Sequence, residues 1–449
     1  MPISEKRRKN LLKPGVLRKW KTPEWITAGC VLFIRLLFYL CVNIPQLEED
    51  THTYVDFSWR DFLAGERMPL YPVLLQINRF FFHDGYLVGI VGCQIVVSMF
   101  AVFYLYRTVC ITTKNRGIAC AVAFFYGGNP WILHFDTQIL TESFAISLSV
   151  FLLYHTVCYI HSRSLCSGSA MVFCVILSVL LKSAMFVYVP VYLIFMVMQF
   201  FDSRKGRKTV LKLSAILLGA VFLLLIYAGQ VWQHSGTFFI DKRGPRNMLI
   251  ACLETGLYQN YPDQELVERI DKIYLKNQKS IRWETTLKPI LLMFGDSEKE
   301  YNIKIHKFNL YCIRSDYRVY LKYLLQRFIR VTNREYGLEP PDVDVRSPMF
   351  SVIYQMQEIL FPSMRIGHIY LIDGTFFLLM IRKWRKSGSC PWYYLGTWGV
   401  ILVILVSVFI GVSDSYLRCT SYVLPFAFFG LALLLSDLCN GIQKYKTES

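Results

Sequence analysis

The stretch WITAGCVLFIRLLFYLCVNI, residues 25–44, decides the fold of this chain. It has the length of a helix that crosses a lipid bilayer, about 20 residues, and its only charge is Arg35. A charge turned to lipid is costly, so Arg35 is expected to face other helices or water, in a role the sequence does not name. Nine more apolar segments follow: Tyr86 to Tyr106, Gly117 to His134, Phe144 to Ile160, Ser169 to Leu181, Met185 to Phe201, Val210 to Trp232, Ile366 to Ile381, Tyr393 to Val412 and Tyr416 to Cys439.

These segments predict an all-α polytopic membrane protein of about ten transmembrane helices, because backbone amides that face lipid must bond within their own segment. The composition agrees, with 54% hydrophobic and only 18% charged residues. The net charge of +17 follows the loops and forms no basic face interleaved with aromatic residues. Nucleic acid is therefore excluded as a partner.

The orientation follows from lysine and arginine in the short connections. The basic start, including Lys6, Arg7 and Arg8, is expected in the cytoplasm, and ten spans then place the basic loops on that same side. Fusing the two spans on either side of Lys182 would reverse everything after them. No small-residue cleavage site follows the basic start, so the first span is expected to be an anchor in the cell membrane.

The pattern divides the chain into five regions. These are a cytoplasmic N-terminus (1–24), a transmembrane catalytic module of about seven helices (25–232, with outer loop 45–85), an outer helical loop domain (233–365), C-terminal transmembrane helices (366–440) and a cytoplasmic tail (441–449).

The two outer segments carry structure of their own. Residues 45–85 alternate apolar and charged positions and predict short helices lying in the membrane interface. Residues 233–365 are too long for a simple connection and contain helical apolar stripes, which predict a small helical domain. Cys252 and Cys312 lie well inside that domain, and a disulfide between them is one hypothesis.

Ionisable residues gather just beyond the first span, in Asp50-Thr51-His52-Thr53-Tyr54 and then in Arg67-Met68-Pro69-Leu70-Tyr71-Pro72. Three later motifs complete the pattern. They are Leu140-Thr141-Glu142-Ser143, Leu181-Lys182 and Ser421-Tyr422-Val423-Leu424-Pro425.

In the order of these motifs the chain resembles the GT-C glycosyltransferases, in particular the bacterial relatives of dolichyl-phosphate-mannose protein mannosyltransferases. The resemblance covers the first seven spans better than the rest. Relatives often have Arg-Tyr where Ser421-Tyr422 stands, and Arg418 lies one helical turn earlier as a substitute charge. Lys182 stands where relatives commonly have arginine. Lysine keeps the positive charge but loses the bidentate geometry with which arginine binds phosphate.

The resemblance implies transfer of a sugar from a polyprenyl-phosphate donor to an acceptor on the outer face of the membrane, with inversion. A carboxylate base typically contributes about a hundred- to ten-thousand-fold to such a reaction. Asp50 is the candidate base, with Glu49 next. Cations would stabilise the departing phosphate, and the candidates are Arg67, Lys182 and Arg418. Tyr54, Tyr71, Asp136, Glu142 and Tyr422 are expected to support the site.

Each assignment has a structural alternative. Asp50 and Glu49 equally suit a solvated acidic turn, and Asp136 and Glu142 suit caps at the start of a span. Lys182 and Arg418 suit headgroup anchors, and Arg314, Arg318 and Lys322 suit one solvated or lipid-facing helical face. No cofactor is certain. A divalent metal held by His52 or His134 with carboxylates is a further hypothesis that no ligand spacing supports.

Two other functions stay open. A lipid-linked oligosaccharide polymerase or ligase would centre on Arg and His in the large loop. A non-enzymatic carrier or flippase would show related halves and broken helices near mid-membrane. The sequence names neither the donor sugar nor the acceptor, which is a protein, a lipid or a wall polymer.

Overall fold

The computed structural model describes residues 21–202, 206–336, 345–361, 364–387, 391–411 and 416–448. The basic start before Lys21 lies outside the described residues, as do Arg204 and Lys205 of one basic loop.

Helices make up most of the described chain. In its first half they are α1 Thr22–Cys41, α2 His52–Val55, α3 Trp59–Leu63, α4 Leu70–Phe82, α5 Tyr86–Thr113, α6 Arg116–Gly127, α7 Pro130–Thr137, α8 Glu142–Ser162, α9 Leu165–Leu181, α10 Tyr188–Asp202 and α11 Arg207–Ser235. In its second half they are α12 Gly244–Thr255, α13 Gln264–Lys276, α14 Lys288–Leu292, α15 Glu298–Ser315, α16 Tyr317–Thr332, α17 Phe350–Leu360, α18 Ile366–Ser387, α19 Trp392–Gly411, α20 Tyr416–Thr420 and α21 Leu424–Glu448. Strand β1 (Glu335–Tyr336) pairs antiparallel with β2 (Met364–Arg365).

The all-α polytopic architecture predicted from the sequence is confirmed. Within the described ranges, six helices are long and apolar enough to cross a membrane, and a bent pair brings the number to seven. The count of ten spans is not confirmed, because Leu165–Leu181 and Trp392–Ser407 are apolar but shorter. The side of the membrane on which each loop lies stays a prediction.

The third predicted span, Gly117 to His134, is not one straight helix. Its two parts, α6 and α7, meet at 49°. Asn129 caps α7 with its side chain, and Pro130 occupies the first turn, where its missing N–H is not needed. Such a break frees carbonyls that must find new donors inside a membrane protein. Arg35 of α1 supplies one, donating from Nε to the Gly127 carbonyl at 2.7 Å.

Helix α4 folds back along the start of α5. The chain reverses at His83, which has a left-handed φ of 47°, and the Tyr71 hydroxyl donates to Gln94 on α5 at 2.8 Å. The opposite face of α4 exposes Phe80 and Phe81. That residues 45–85 lie in the membrane interface stays a prediction.

Helices α12 to α15 surround a second hydrophobic core, which we call the loop core. Cys252 and Cys312 both lie in the loop core and are fully buried. Both are free in the structure, so their pairing stays a prediction. Residues 350–360 join a different cluster, where Phe350 and Tyr354 pack against Phe38 of α1.

Candidate active site

The site begins in the turn after α1. The Thr51 hydroxyl accepts a hydrogen bond from the Glu48 amide at 2.8 Å, and the Thr53 hydroxyl donates to the Asp50 carbonyl at 2.7 Å. Side-chain bonds of this kind stabilise turns in place of regular secondary structure. They fix the backbone on both sides of Asp50 and therefore the direction of its side chain.

Two arginines hold the two carboxylate oxygens of Asp50. Arg67 donates from Nη2 to Oδ1 at 2.6 Å, and Arg418 donates from Nη2 to Oδ2. Arg67 is itself oriented by the Thr53 hydroxyl at 2.7 Å and the Tyr54 hydroxyl at 3.1 Å. The structure thus brings Arg67 and Arg418, two of the predicted phosphate-binding residues, into contact with Asp50, the predicted base.

The arginines dominate the electrostatics of Asp50. Burial by itself would raise the pKa of this carboxyl, but Arg67 and Arg418 outweigh burial and hold the pKa well below its usual range. Asp50 is therefore ionised at physiological pH. A carboxylate held in this way is also a weak proton acceptor.

The contacts continue from Arg418 into the protein. Its Nε lies 3.1 Å from Oε1 of Glu142, and Lys182 donates to the same oxygen at 2.9 Å. Glu142 opens α8 and is 1% exposed, whereas Arg418 is 28% exposed in its side chain. We call Arg67, Asp50, Arg418, Glu142 and Lys182 the ionic chain, since their charges alternate. Glu142 thus binds cations in the site, and the alternative of a simple helix cap does not describe it.

The ionic chain borders a cavity of about 370 Å³, a volume typical of small-molecule sites. Its lining includes four cations (Arg67, Lys182, Arg243, Arg418), three carboxylates (Glu66, Glu142, Asp241) and an apolar wall (Phe186, Val187, Phe239, Ile240). Asp50 does not itself line the cavity; it contacts it through Arg67 and Arg418. The candidate base is therefore covered by its own partners.

Asp241 and Arg243 belong to this cavity, and the sequence analysis missed both. The Arg243 amide donates to Asp241 at 2.8 Å, its guanidinium donates to the Glu66 carbonyl at 3.1 Å, and the Ser183 hydroxyl donates to Asp241 at 2.7 Å. Asp241 raises the pKa of Arg243. Burial lowers it to a lesser extent, so the pKa lies above its usual value. The run Asp241-Lys242-Arg243 follows the end of α11 much as Asp50 follows α1. That parallel is the feature of the sequence from which Asp241 and Arg243 could have been predicted.

Lys242 ties the cavity to the loop core. Its ammonium is 7% exposed and forms ion pairs with Glu66 and with Glu298, the latter at 2.8 Å. Its amide donates to the Gly65 carbonyl at 3.2 Å. Gly65 has φ +76°, and a Cβ there would lie 2.7 Å from Val231, so only glycine allows this close approach.

The three predicted supporting tyrosines occupy different positions. The Tyr54 ring lies 4.5 Å beneath the Arg67 guanidinium and 5.2 Å from the Tyr71 ring, edge to face. Tyr71 is fully buried behind Tyr54. Tyr422 is also fully buried, and its hydroxyl donates to the Ala184 carbonyl at 3.4 Å, two residues beyond Lys182. Tyr54 thus contacts the ionic chain directly, Tyr71 packs on Tyr54, and Tyr422 contacts the backbone beside Lys182.

Asp136 is not part of the ionic chain. Arg35 donates to it at 3.1 Å, the Tyr39 hydroxyl at 2.9 Å and the Ser143 hydroxyl at 2.6 Å. Asp136 and Arg35 are 0% and 1% exposed. As expected, Arg35 faces other helices, and its partner is the carboxylate that the sequence assigned to a supporting role.

The other candidates lie apart from the ionic chain. Glu49 is exposed, as is His52, whereas His134 is buried with its Nε2 2.7 Å from the Gln138 amide. Across the described ranges, no three His, Cys, Asp or Glu side chains are grouped as metal ligands would be. The metal hypothesis gains no site from this geometry.

Neither a protein-family model nor a curated protein sequence matches the chain. Solved structures of an oligosaccharyltransferase from Archaeoglobus fulgidus do. The archaeal oligosaccharyltransferase AglB in complex with an inhibitory peptide and a dolichol-phosphate is 12% identical, with a TM-score of 0.46, and the match covers 95% of this chain and 51% of that one. The apo form gives 12% identity, a TM-score of 0.45 and the same coverage. The chain spans about half the length of these structures, and the residue assignments below do not rest on them.

Proposed function

We propose that this chain is a GT-C-type membrane glycosyltransferase that moves a sugar from a polyprenyl-phosphate donor to an acceptor hydroxyl. One observation carries the proposal: an aspartate lies between two arginines at the edge of a cavity that has four cations on its lining and an apolar wall. An anionic headgroup joined to a hydrocarbon tail combines the two properties that such a lining recognises. We also propose that this site lies on the outer face of the cell membrane.

The reaction assigns one proton and one leaving group. The acceptor oxygen attacks the anomeric carbon, the bond from that carbon to the phosphate oxygen breaks, and the polyprenyl phosphate leaves with the electron pair. Asp50 takes the acceptor proton. Lys182 and Arg418 meet the negative charge that develops on the leaving phosphate, as preorganised cations do in other transfer reactions, while Arg243 helps to bind the donor in the cavity.

The resting geometry requires one change before Asp50 can act. With both oxygens bound by arginine, Asp50 has a low pKa and no oxygen free for an acceptor hydroxyl. A donor phosphate in the cavity competes for Arg418, which already divides its guanidinium between Asp50 and Glu142. Guanidinium binds phosphate with short, charge-assisted hydrogen bonds. Donor binding therefore frees one oxygen of Asp50 and raises its pKa, so the base becomes active only when a donor is present.

The cavity holds its charges in near balance before a donor arrives. Glu142 already pairs with Lys182, and Asp241 with Arg243. A donor phosphate takes the place of these carboxylates beside the cations. Several cations then position it, and it meets no buried charge that was unpaired beforehand. The apolar wall beside them, from Phe186 to Val187 and from Phe239 to Ile240, suits the first units of an isoprenoid chain.

The test uses the full chain, purified in lipid nanodiscs, with a panel of synthetic polyprenyl-phosphate sugars and mixed peptide, lipid and polysaccharide acceptors. Release of polyprenyl phosphate is measured for wild type, Asp50→Asn and the matched control Glu49→Gln. We expect release by wild type and by the control, and its loss in Asp50→Asn. Failure of wild type to consume any donor contradicts the transferase; equal rates in wild type and Asp50→Asn contradict Asp50 as the base.

A further inference from the structure

Helix α16 (Tyr317–Thr332) connects the loop core to the main core of the spanning helices. At its start, Tyr320 packs on the loop core, while farther along Phe328 packs on the main core and stacks on Tyr370 of α18 at 4.5 Å. The Tyr323 hydroxyl donates to Glu254 of α12 between these points. One face of α16 is thus fixed to protein, and the helix lies where the apolar spans meet the loop domain.

The opposite face of α16 exposes a row of aliphatic side chains. Leu321, Leu325 and Ile329 recur every four residues and are 56%, 59% and 60% exposed. That spacing places them side by side along the helix. In a water-soluble domain, such a contiguous apolar row would indicate a binding surface.

A basic row lies beside the aliphatic one. Arg318 and Lys322, also four residues apart, are exposed, and neither forms an ion pair with another described residue. Arg314 precedes them at the end of α15, where it lines a shallow depression with Lys307 and Tyr311. The sequence placed Arg314 on the same helical face as Arg318 and Lys322, but the chain breaks between α15 and α16.

Helix α13 in the same loop core shows the contrasting arrangement. Its apolar residues Val267 and Ile270 are buried, and its exposed face mixes both signs of charge, as in Glu268 and Lys272. That is the surface of a helix facing water. The face of α16 differs from it, because exposed aliphatic residues there lie beside basic residues that form no ion pair with another described residue.

We propose that the outward face of α16 binds anionic phospholipid, with Leu321, Leu325 and Ile329 among the acyl chains and Arg318 and Lys322 on the headgroups. The pattern is that of an interfacial helix, whose apolar side enters the acyl boundary and whose basic side meets anionic headgroups. Each basic residue near such a surface contributes to binding through a force that salt weakens. The surface would hold the loop domain at a fixed height beside the membrane.

The test measures lipid binding to the detergent-purified full chain by native mass spectrometry and by thermal stabilisation, with phosphatidylglycerol and phosphatidylcholine as probes. We expect Arg318→Gln/Lys322→Gln to bind phosphatidylglycerol roughly thirtyfold more weakly. Binding of phosphatidylcholine should be nearly unchanged. The matched control is Lys272→Gln/Lys276→Gln, which removes two exposed charges four residues apart on α13.

The variant Leu325→Gln/Ile329→Gln changes only the aliphatic row, so it tests the contribution of that row separately from the contribution of the basic row. It should weaken binding of both lipids, in a way that salt does not alter. The proposal is overturned if the α16 charge variant binds phosphatidylglycerol as wild type does, if the α13 control loses as much, or if the α16 variants change the oligomeric mass and not lipid binding, which would assign the face to a protein partner. None of these readouts requires transferase activity.

Discussion

Two acid–arginine pairs of this molecule differ in how far they are closed to solvent. Asp136 and Arg35 are almost completely buried, and their hydrogen bonds reach three other elements of the fold. Asp50 and Arg418 are each 28% exposed and share their partners with other charges, and Arg418 lines a cavity. A closed pair holds helices together, while an open pair with divided partners is available for exchange with a ligand. The difference therefore separates a structural pair from a candidate catalytic one.

The variant Asp50→Asn is the strongest test of whether the open pair is catalytic and not structural. It should lower the turnover number about a hundred- to ten-thousand-fold, because the amide cannot accept the acceptor proton. The midpoint of thermal unfolding should change little, since Asp50 is partly exposed. A large drop in that midpoint with normal turnover per folded molecule would make Asp50 the structural residue instead.

Arg35→Met tests the closed pair. It leaves the Asp136 carboxylate buried without its cation, which should cost about 3–5 kcal/mol of stability. Thermal unfolding in detergent, followed by fluorescence-detected size exclusion, measures the loss. The double variant Arg35→Met/Asp136→Leu should recover most of it, because the uncompensated charge is gone. If the double variant is as unstable as the single one, the pair contributes through something other than charge compensation.

Arg418→Gln tests the open pair through its pH dependence. In wild type, the pKa of Asp50 is lowered by Arg67 and Arg418. Removing one of them raises that pKa toward the ordinary carboxyl range. Asp50 must be ionised to act, so the acid limb of kcat/KM should move to higher pH in the variant, with a roughly tenfold or greater loss of rate. Arg418→Lys should restore part of both; an acid limb that stays in place would contradict the pairing of Arg418 with the base.

The smallest effect is expected from Arg243→Gln. Arg243 lines the cavity but does not touch Asp50, so it should act mainly on donor binding. We expect KM for the donor to rise about fivefold, the value of one ordinary hydrogen bond of about 1 kcal/mol, with kcat nearly unchanged. A fall in kcat with constant KM would instead place Arg243 on the reacting phosphate in the transition state.

Sequence reasoning succeeded where the physics was local. The apolar segments had to be helical because lipid offers no partners for backbone amides. Ionisable residues just beyond the ends of the spans were candidates for the site because a lipid-linked donor presents its headgroup there. Asp50, Arg67, Lys182, Glu142 and Arg418 were chosen on those grounds together with the resemblance, and they are in contact.

The parts that were missed depend on contacts distant in sequence. Nothing near Arg35 indicates that Asp136, 101 positions later, is its partner, or that its Nε would serve a carbonyl released by the break before Asn129. Arg243 was overlooked because its place in the cavity depends on the path of the chain after α11, and the length of a loop does not determine that path. Charge pairing inside a membrane protein is decided by helix packing, which local patterns do not encode.

The contact between Asp50 and Arg418 joins positions 368 residues apart. At ordinary elongation rates, about 20 to 70 s separate the synthesis of these two residues. During that interval the first loop is already made while its second arginine does not yet exist. The candidate site consequently cannot be complete until residue 418 has been synthesised, and until then Arg67 is the arginine available to neutralise Asp50.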